Sequence, residues 1–306
     1  MNENSAISAL FFLLRNKTLE NLATTNSINR TLDCAGRELV FDQTRIMGVL
    51  NLTPDSFSDG GKWLDKAVAV QHALAMQEAG ADIIDIGGES TRPGAQAVSL
   101  QQELDRVIPV IESIVPQLRV PVSIDTSKPA VMCEAVAAGA GMINDVFALR
   151  NPGALQTAAE LGVPVCLMHM LGDPRVMQND PVYVDVGKDV KDFLLERAAQ
   201  CEKNGIPRNR IVLDPGFGFG KTLQQNMELF HALPELISIA YPVLVGVSRK
   251  SMIGQLTGRE TQGRVAGSIT AAALAAQMGA AIVRVHDVAE TSDALKVANA
   301  LGVARA

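Results

Sequence analysis

The chain has 306 residues, 47% of them hydrophobic and 20% charged, and a formal net charge of -6 at pH 7. This composition suits a soluble globular protein with one large domain or two small ones. The acidic balance and the lack of a basic block argue against a nucleic-acid-binding protein, although local positive charge can still bind a small anion. The four cysteines form no CxxC pair, which argues against a zinc site and predicts reduced, buried thiols in a cytoplasmic protein.

The N-terminal stretch holds a short apolar patch, "AISALFFLL", at residues 6–14. The patch is too short to span a bilayer, and the residues before it include Glu3 but no base, unlike a secretory signal. We therefore predict that residues 1–29 form an extension, either a short helix or disordered, and that residues 30–306 form one domain. The segment "RTLDCAGRELVFD" at residues 30–42 predicts a β-hairpin that turns near Ala35 and Gly36.

Eight short runs rich in β-branched residues follow, separated by longer stretches with helical periodicity. The runs are apolar on both faces, as expected of parallel strands that are covered by helices. The predicted strands are residues 45–51, 82–87, 121–125, 142–145, 164–169, 210–214, 242–248 and 281–286.

The clearest predicted helix spans Leu100–Ile114, where apolar residues recur at helical spacing. Ser99 and Gln102 have the spacing of a capping box at its start, whereas Pro109 predicts a kink or an early stop. Glycines stand just before five of the strands and mark the ends of the preceding helices, namely Gly80, Gly139, Gly162, Gly205 and Gly279.

The strand–helix units match a (β/α)8 TIM barrel in number and in length, which is about 260 residues here. A doubly wound open sheet commonly has fewer strands, and no G-x-G-x-x-G motif opens the first helix, so a dinucleotide-binding fold is disfavoured. We predict an α/β chain that forms a TIM barrel, with the N-terminal β-hairpin plugging the barrel bottom.

Each predicted strand ends in a polar or charged residue, on the face where barrel enzymes place their active sites. Asp125, Asn144 and Asp214 come from the middle strands and suit a flat heterocycle with an amidine-like edge, because a carboxylate accepts two N–H donors side by side. Basic residues of the flanking strands suit a phosphate or another anion, and they are Arg92, Lys250, Arg284 and His286.

Arg284 and His286 are two residues apart on one strand and therefore share a face. This basic pair favours a phosphate site, with a structural salt bridge to Asp287 or Glu290 as the alternative. The small, apolar tract at residues 266–281 predicts a helix buried on several sides, either as core or as part of a subunit interface. We favour the interface and expect a homodimer.

Candidate nucleophiles are weak, which favours catalysis by positioning and charge stabilisation. Cys166 lies in mid-strand without an activating partner, and Ser248 has no G-x-S-x-G context. The run "DPGFGFGKT" from Asp214 to Thr222 is one residue short of the P-loop spacing. It is therefore either a Gly-rich turn or a close backbone approach to a ligand. His169 suits a packed histidine better than a metal ligand.

The ordered motifs together resemble the dihydropteroate synthase family of folate biosynthesis. The matching stretches are "NLTPDSFSDGG", "DIGGESTRPGA", "SIDTSKP", "IND", "CLMHM", "LDPGFGFGK", "GVSRKSMIG" and "RVHDV", and they span residues 45 to about 290. The resemblance implies the same barrel and a transferase that condenses 6-hydroxymethyl-7,8-dihydropterin pyrophosphate with 4-aminobenzoate. The products would be 7,8-dihydropteroate and pyrophosphate, and sulfonamides would target the enzyme.

The family's residue roles carry over by position to this sequence. The pterin pyrophosphate would be bound by Thr91, Arg92, Asp125, Asn144, Asp214, Lys250, Arg284 and His286, and catalysis would rest on Asp125, Asp214, Lys250 and Arg284. The aminobenzoate would contact Phe57, Thr91, Pro93, Phe219, Lys250 and Ser251. Asn51 would bind the cofactor Mg²⁺ together with the pyrophosphate.

The resemblance also implies a dissociative, SN1-like step, in which pyrophosphate leaves before the aromatic amine attacks. Phe57 stands in the loop after the first strand, between a Thr53–Asp55 turn and a glycine hinge, which predicts a flap. Phe57 would cover the aminobenzoate, so Phe57→Ala should raise the KM for this substrate and leave pterin binding nearly intact. Two alternatives are a pterin-dependent methyltransferase domain and a non-catalytic paralogue that binds pterin.

Overall fold

The computed structural model describes residues 31–52, 61–90, 97–172 and 181–302 of the chain. Four of the predicted site residues lie outside the described residues, and they are Phe57, Thr91, Arg92 and Pro93. The predicted extension at residues 1–29 also lies outside them, so it stays a prediction.

The described chain begins with an antiparallel hairpin of β1 (Thr31–Cys34) and β2 (Arg37–Val40). Ala35 and Gly36 form the two-residue turn, with φ of 55° and 82°. Positive φ at both positions is what a tight hairpin turn requires, since it matches the twist of the flanking strands. The predicted hairpin and its turn are confirmed.

Eight parallel strands form a second sheet. They are β3 (Arg45–Asn51), β4 (Ile83–Gly87), β5 (Val122–Asp125), β6 (Met142–Asp145), β7 (Val165–Met168), β8 (Ile211–Asp214), β9 (Leu244–Val245) and β10 (Ile282–Val285). Their order is β8-β7-β6-β5-β4-β3-β10-β9, and a parallel bridge between Leu213 and Val243 joins the two end strands. The sheet thus closes on itself, which confirms the predicted TIM barrel.

Strand β9 is shorter than the predicted run of residues 242–248, because only two of its residues pair with β10. The backbone leaves the ladder in a turn, in which the amide of Lys250 donates to the carbonyl of Val247 at 3.3 Å. Arg249 lies in this turn with a φ of 57°. The turn replaces the end of the predicted strand and places Lys250 at the upper rim of the barrel.

Helices surround the barrel. Those in the described ranges are α1 (Gly61–Glu78), α2 (Leu100–Ile114), α3 (Pro129–Ala137), α4 (Ala154–Leu161), α5 (Val186–Lys203), α6 (Leu223–His231), α7 (Leu233–Ile237), α8 (Ser251–Thr257), α9 (Val265–Met278) and α10 (Val288–Leu301). None of these helices combines the length and the apolar character that crossing a membrane needs. The five glycines predicted to end helices all have positive φ, as a helix C-terminus favours.

Helix α2 has the predicted capping box, in which Ser99 and Gln102 bond each other's backbone amides. An early stop at Pro109 does not occur, because the helix continues to Ile114. Ile111 and Ile114 are fully buried after the proline. Burial of each such side chain contributes about 1.5–3 kcal/mol, which offsets a proline cost of about 3 kcal/mol.

The hairpin fills the lower end of the barrel. Its side chains pack against inward-facing residues at the amino ends of the strands, in a cluster of Leu32, Cys34, Leu39, Met47, Ile83, Met142, Cys166, Val212, Leu244 and Ile282. Gly141 permits this contact, since a Cβ atom there would lie 2.4 Å from the carbonyl oxygen of Cys34. The predicted plug at the barrel bottom is confirmed.

Three of the four cysteines are buried as predicted, namely Cys34, Cys166 and Cys201. The prediction is wrong for Cys133, which is exposed. The reason is the helical geometry of α3, because Val131, Met132 and Ala135 form its buried face and Cys133 points away from them.

Candidate active site

Polar side chains from five strands meet above the barrel core. Arg284 in β10 donates from Nε to Asp85 Oδ2 at 2.6 Å and from Nη2 to Asp125 Oδ2 at 2.8 Å. Asn144 in β6 donates from Nδ2 to Asp85 Oδ2 at 3.0 Å. Asp214, at the end of β8, is 5% exposed. The structure therefore brings the predicted acidic floor and Arg284 into one cluster.

Asp85 is a central residue of this cluster, and the sequence analysis missed it. Its side chain is fully buried and accepts from both Arg284 and Asn144. A signal was available, because Asp85 interrupts the apolar strand "DIIDIG". A charged residue inside such a strand needs a buried partner, and Arg284 supplies it.

Burial and charge oppose each other in the pKa values of this cluster. Burial raises the pKa of Asp125, while the nearby Arg284 guanidinium lowers it. Burial likewise raises the pKa of Asp214, while Lys250 lowers it. Burial alone would lower the pKa of Arg284, but Asp85 and Asp125 outweigh that effect and raise it. Arg284 consequently stays charged inside the barrel.

Lys250 stands at the rim, where it precedes helix α8. Its Nζ donates to the carbonyl oxygen of Phe217 at 2.5 Å and lies 4.5 Å from the ring centroid of Phe219. Burial lowers the pKa of Lys250 to about 8, against the opposing effect of Asp214. Ser251 follows directly as the first residue of α8 and is exposed. Lys250, Phe219 and Ser251 therefore lie together. Their binding of aminobenzoate stays a prediction.

The Gly-rich run after β8 is a turn that packs against the protein's own backbone. Gly216, Gly218 and Gly220 have φ of 69°, 80° and 60°. A Cβ atom on Gly216 would lie 1.9 Å from the carbonyl oxygen of His169. Lys221 is 3% exposed and donates into the turn. The close backbone approach of the glycines is thus explained by the turn itself.

His169 is a packed histidine, as predicted. Its side chain is 5% exposed, and its ring packs edge-on against Phe193 with centroids 4.9 Å apart. Nδ1 lies 3.0 Å from Lys221 Nζ. Burial, followed by the charge of Lys221, lowers the pKa of His169 to about 2, so the ring is neutral and accepts from the lysine. Within the four described ranges, no group of three or more His, Cys, Asp or Glu side chains could hold a metal ion.

His286 lies directly past the end of β10 and faces Ser248. Its Nδ1 lies 3.1 Å from Ser248 Oγ, and its backbone amide donates to the same oxygen at 3.2 Å. Asp287, one of the two partners in the alternative salt bridge, accepts from Arg249 Nε at 3.0 Å. Arg284 instead faces the barrel interior, where its partners are carboxylates of other strands.

Asn51 ends strand β3 at the same rim. It is half-buried, and the strand register pairs it with Gly87 of β4, which in turn pairs with Asp125 of β5. A Cβ atom on Gly87 would lie 3.7 Å from Asn51 Oδ1 and 3.6 Å from Asp125 Cβ. Gly87 therefore keeps the space between the amide of Asn51 and the acidic floor clear of a side chain.

A second charged cluster, also missed from sequence, joins the loops after β4 and β5. The Lys128 ammonium binds both Glu89 and Glu103, and Glu103 is 1% exposed. Thr126 Oγ1 donates to Glu103 Oε1 at 2.6 Å, and the amide of Val98 donates to Glu89 Oε1 at 3.1 Å. Glu89 thereby connects Val98 to the loop that follows Asp125.

Comparison with known proteins identifies relatives of the chain. A family model described as pterin binding enzyme matches residues 47–286. The dihydropteroate synthase of Escherichia coli (strain K12) is 52% identical over 265 residues, which are 87% of this chain and 94% of that protein. The solved structure of Xanthomonas albilineans dihydropteroate synthase with 4-aminobenzoic acid has a TM-score of 0.85 and 56% identity, covering 90% of this chain and 99% of its own. A Yersinia pestis dihydropteroate synthase with a sulfonamide drug complex has a TM-score of 0.84 and 51% identity, covering 88% and 98%.

Proposed function

We propose residue roles from the premise that the chain belongs to the pterin binding enzyme family, as one of its dihydropteroate synthases. The chain condenses 6-hydroxymethyl-7,8-dihydropterin pyrophosphate with 4-aminobenzoate to give 7,8-dihydropteroate and pyrophosphate, and sulfonamides target it. This transferase activity sets aside the methyltransferase and the non-catalytic paralogue. The observation that carries the residue roles is the cluster of Asp125, Asn144, Asp214, Lys250 and Arg284 at the carboxyl ends of the barrel strands.

The pterin ring is assigned to the acidic floor. Asp125 and Asp214 would accept N–H groups of its amidine-like edge, and Asn144 would complete the recognition as an amide that both donates and accepts. Asn144 and Asp214 are nearly fully buried, and hydrogen bonds to charged groups are stronger in such surroundings than in water. The bond from Asn144 to Asp85 supports this assignment, because it fixes the orientation of the amide.

The pyrophosphate is assigned to basic residues of the rim. His286 lies two residues after Arg284, directly past the end of β10, and Arg284 stays charged beside its two carboxylates. Thr91 and Arg92 would join them by the family pattern. Guanidinium groups bind phosphate oxygens in pairs, so they suit a leaving group whose negative charge grows as the bond breaks.

The aminobenzoate is assigned to the rim above the pterin. Lys250, Phe219 and Ser251 lie together there, with the ammonium of Lys250 over the Phe219 ring. Phe57, Thr91 and Pro93 would add contacts by the family pattern. Sulfonamides mimic aminobenzoate, so we expect them to raise the KM for aminobenzoate without changing kcat, and non-competitive inhibition would contradict this assignment.

The mechanism that we assign is dissociative. The bond between the pterin methylene carbon and the bridging oxygen breaks, and pyrophosphate leaves with the electron pair. The aromatic amine then attacks the cationic methylene carbon and loses one proton. The carboxylates of the floor would stabilise the cation, while the basic residues stabilise the departing anion. Burial raises the pKa of the Cys166 thiol well above its ordinary value, so it is a poor candidate for a covalent nucleophile.

Mg²⁺ is the cofactor that the family implies, and Asn51 is its proposed ligand. Magnesium in enzymes commonly takes one or two protein oxygens and completes its shell with water and substrate phosphate. A single amide oxygen at the rim, with space kept by Gly87, fits that donor set. When bound there, the ion would neutralise negative charge on the pyrophosphate.

A homodimer through helices α9 and α10 is proposed as well. These helices line a surface groove in which large apolar side chains are exposed, Leu274 by 49%, Val297 by 57% and Leu301 by 82%. A cluster of exposed apolar side chains in one groove is unusual on a monomer and typical of an interface. A second copy of the chain would bury this groove against its own α9 and α10.

A cytoplasmic location is proposed from the thiols. Cys34, Cys133, Cys166 and Cys201 are all free. Free cysteines of this number persist in a reducing compartment, whereas oxidising compartments favour disulfides.

The experiment that tests the residue roles measures pyrophosphate release from the pterin pyrophosphate with and without 4-aminobenzoate. We expect sustained turnover only when 4-aminobenzoate is present, because the cationic pterin stays in the site until the amine attacks it. Lys250→Ala and Asp214→Ala should each lose more than ~2 kcal/mol of transition-state stabilisation, because each removes a charge-assisted contact. A near-normal kcat/KM in either folded variant would refute the role of that residue.

A further inference from the structure

The Gly-rich run contains a lysine to which the reaction gives no role. Lys221 stands where a P-loop would place its phosphate-binding lysine, yet its side chain is 3% exposed. Nζ donates to the carbonyl oxygens of Gly216 at 2.8 Å and Phe219 at 3.1 Å, and to Nδ1 of His169 at 3.0 Å. An ammonium has three hydrogens, so these three acceptors use all of its donors.

The same turn is held from its outer side by two further residues. The amide of Gly218 donates to Asn226 Oδ1 at 2.7 Å, and Asn226 is 2% exposed. The Tyr183 hydroxyl donates to the carbonyl oxygen of Gly220 at 2.8 Å. Side chains therefore hold this turn by hydrogen bonds to several of its peptide groups, and many of the polar atoms involved are buried.

Residues of this turn also contact Lys250 in the candidate active site. The carbonyl oxygen of Phe217 accepts from Lys250 Nζ, and the ring of Phe219 lies under the same ammonium. Phe219 also packs against Val146, Met168 and Met170 at the upper end of the barrel. A displacement of residues 216–219 would consequently move both contacts of Lys250 at once.

We propose that Lys221 is a positioning residue, which binds the turn at Gly216 and Phe219 and thereby places the Phe219 ring for aminobenzoate. The inference rests on the proposed role of Phe219 in that site. It also explains why the sequence of the run resembles a P-loop, because the lysine binds carbonyl oxygens of the run itself and no phosphate is needed.

Direct binding of a substrate anion by Lys221 is the competing explanation. The lysine would have to leave three acceptors and move out of a buried site, which is costly for a polar group. Burial also lowers the pKa of Lys221 to about 7, so a part of the Lys221 side chains is neutral at pH 7, whereas a surface lysine stays charged. Both observations favour positioning over anion binding.

A double-mutant cycle with Lys221→Met, Phe219→Ala and the double variant tests the proposal. We expect each single substitution to raise the KM for aminobenzoate about tenfold, with the KM for the pterin pyrophosphate changed less than about threefold. If Lys221 acts through Phe219, the double variant also shows an increase of about tenfold. Independent residues would give about hundredfold, and that result would overturn the proposal.

Thr222→Ala is the matched control, because Thr222 caps helix α6 from an exposed position. It should lower the melting temperature and leave both KM values unchanged. Tyr183→Phe removes one bond to the same turn and tests the proposal if Lys221→Met fails to fold, with an expected rise of about twofold in the aminobenzoate KM. An unchanged KM in folded Lys221→Met, or in Tyr183→Phe when that variant replaces it, would overturn the proposal.

The cycle also separates this inference from the proposed function. A wild-type KM in Phe219→Ala would remove the role of Phe219 and the proposal with it, while a defect in Lys250→Ala would still support the rest of the site. A raised KM in Phe219→Ala together with an unchanged one in Lys221→Met would leave the proposed function intact and overturn the positioning role alone.

Discussion

Arg284 and Asp85 form an ion pair of 2.6 Å inside the barrel, from strands β10 and β4 that flank β3. The Asp85 side chain is fully buried, whereas the Arg284 side chain is 21% exposed towards the rim. Removing Arg284 would leave the buried Asp85 carboxylate without a cation, whereas removing Asp85 would leave Arg284 with Asp125 as its remaining partner. Among the described residues, Arg284 is the one arginine in the acidic floor, and the pair with Asp85 holds its guanidinium there.

Asp85→Asn should destabilise the fold by about 3 kcal/mol, because it removes one of the two buried carboxylates that compensate Arg284. Urea unfolding measures the loss. Asp192→Asn is the control, since the Asp192–Lys188 pair of 2.5 Å is exposed on both sides and contributes little. Equal losses in the two variants would contradict the importance of the buried pair.

The pH profile of kcat/KM should fall as pH rises through about 8, where burial places the pKa of Lys250. Below that pH the ammonium is present and supports the reaction, and above it the neutral amine does not. Lys250→Arg should move this limb upward by at least about one pH unit even if the rate is lower, since arginine stays protonated. A wild-type profile that is flat between pH 7 and pH 9 would contradict the assignment.

Gly216→Ala should lose more than about 2 kcal/mol of unfolding free energy, because it combines a positive φ with a steric clash. The new Cβ atom would lie 1.9 Å from the carbonyl oxygen of His169 at a φ of 69°. Gly258→Ala is the matched control, with a φ of 68° and nothing within 4 Å of the added Cβ. It should lose only about 1 kcal/mol. If the two losses are equal, backbone conformation alone decides the cost.

Leu274→Glu and Val297→Glu should each convert the proposed dimer to a monomer, because they place a charge in the apolar groove between α9 and α10. Light scattering at several concentrations measures the mass. Val68→Glu is the control, since Val68 is 46% exposed on α1 and lies outside that groove. A wild-type chain that is monomeric at every concentration would refute the dimer.

The strands and the acidic floor were visible in the sequence for a physical reason. Strands of a closed barrel end at one rim, so polar residues after successive apolar runs converge regardless of their separation along the chain. Asp125, Asn144 and Asp214 were found in this way, and so was the position of Arg284. The hydrogen-bond partners of these residues could not be predicted, because a strand pattern does not show which carboxylate binds a given arginine.

Other features depend on contacts that local sequence does not encode. Glu103 stands among the polar residues of an amphipathic helix, yet it is buried and is paired with a lysine 25 residues away. Lys221 looks like a phosphate ligand by spacing, and only its direction in space shows that it binds its own loop. Pro109 would end an isolated helix, but packing against the barrel keeps α2 intact.

The hairpin packed beneath the strands makes the barrel a blind well. Gly141 allows the hairpin to pack closely against the side chains at the amino ends of the strands. Small molecules therefore enter and leave the barrel at the carboxyl ends of the strands. Asp125 and Asn144 belong to the strands below that mouth, whereas Ser251 starts a helix at its edge. Under the proposed assignments, a molecule seated at the edge obstructs the one beneath it. Substrate binding is therefore ordered, and the substrate with the deeper site binds first.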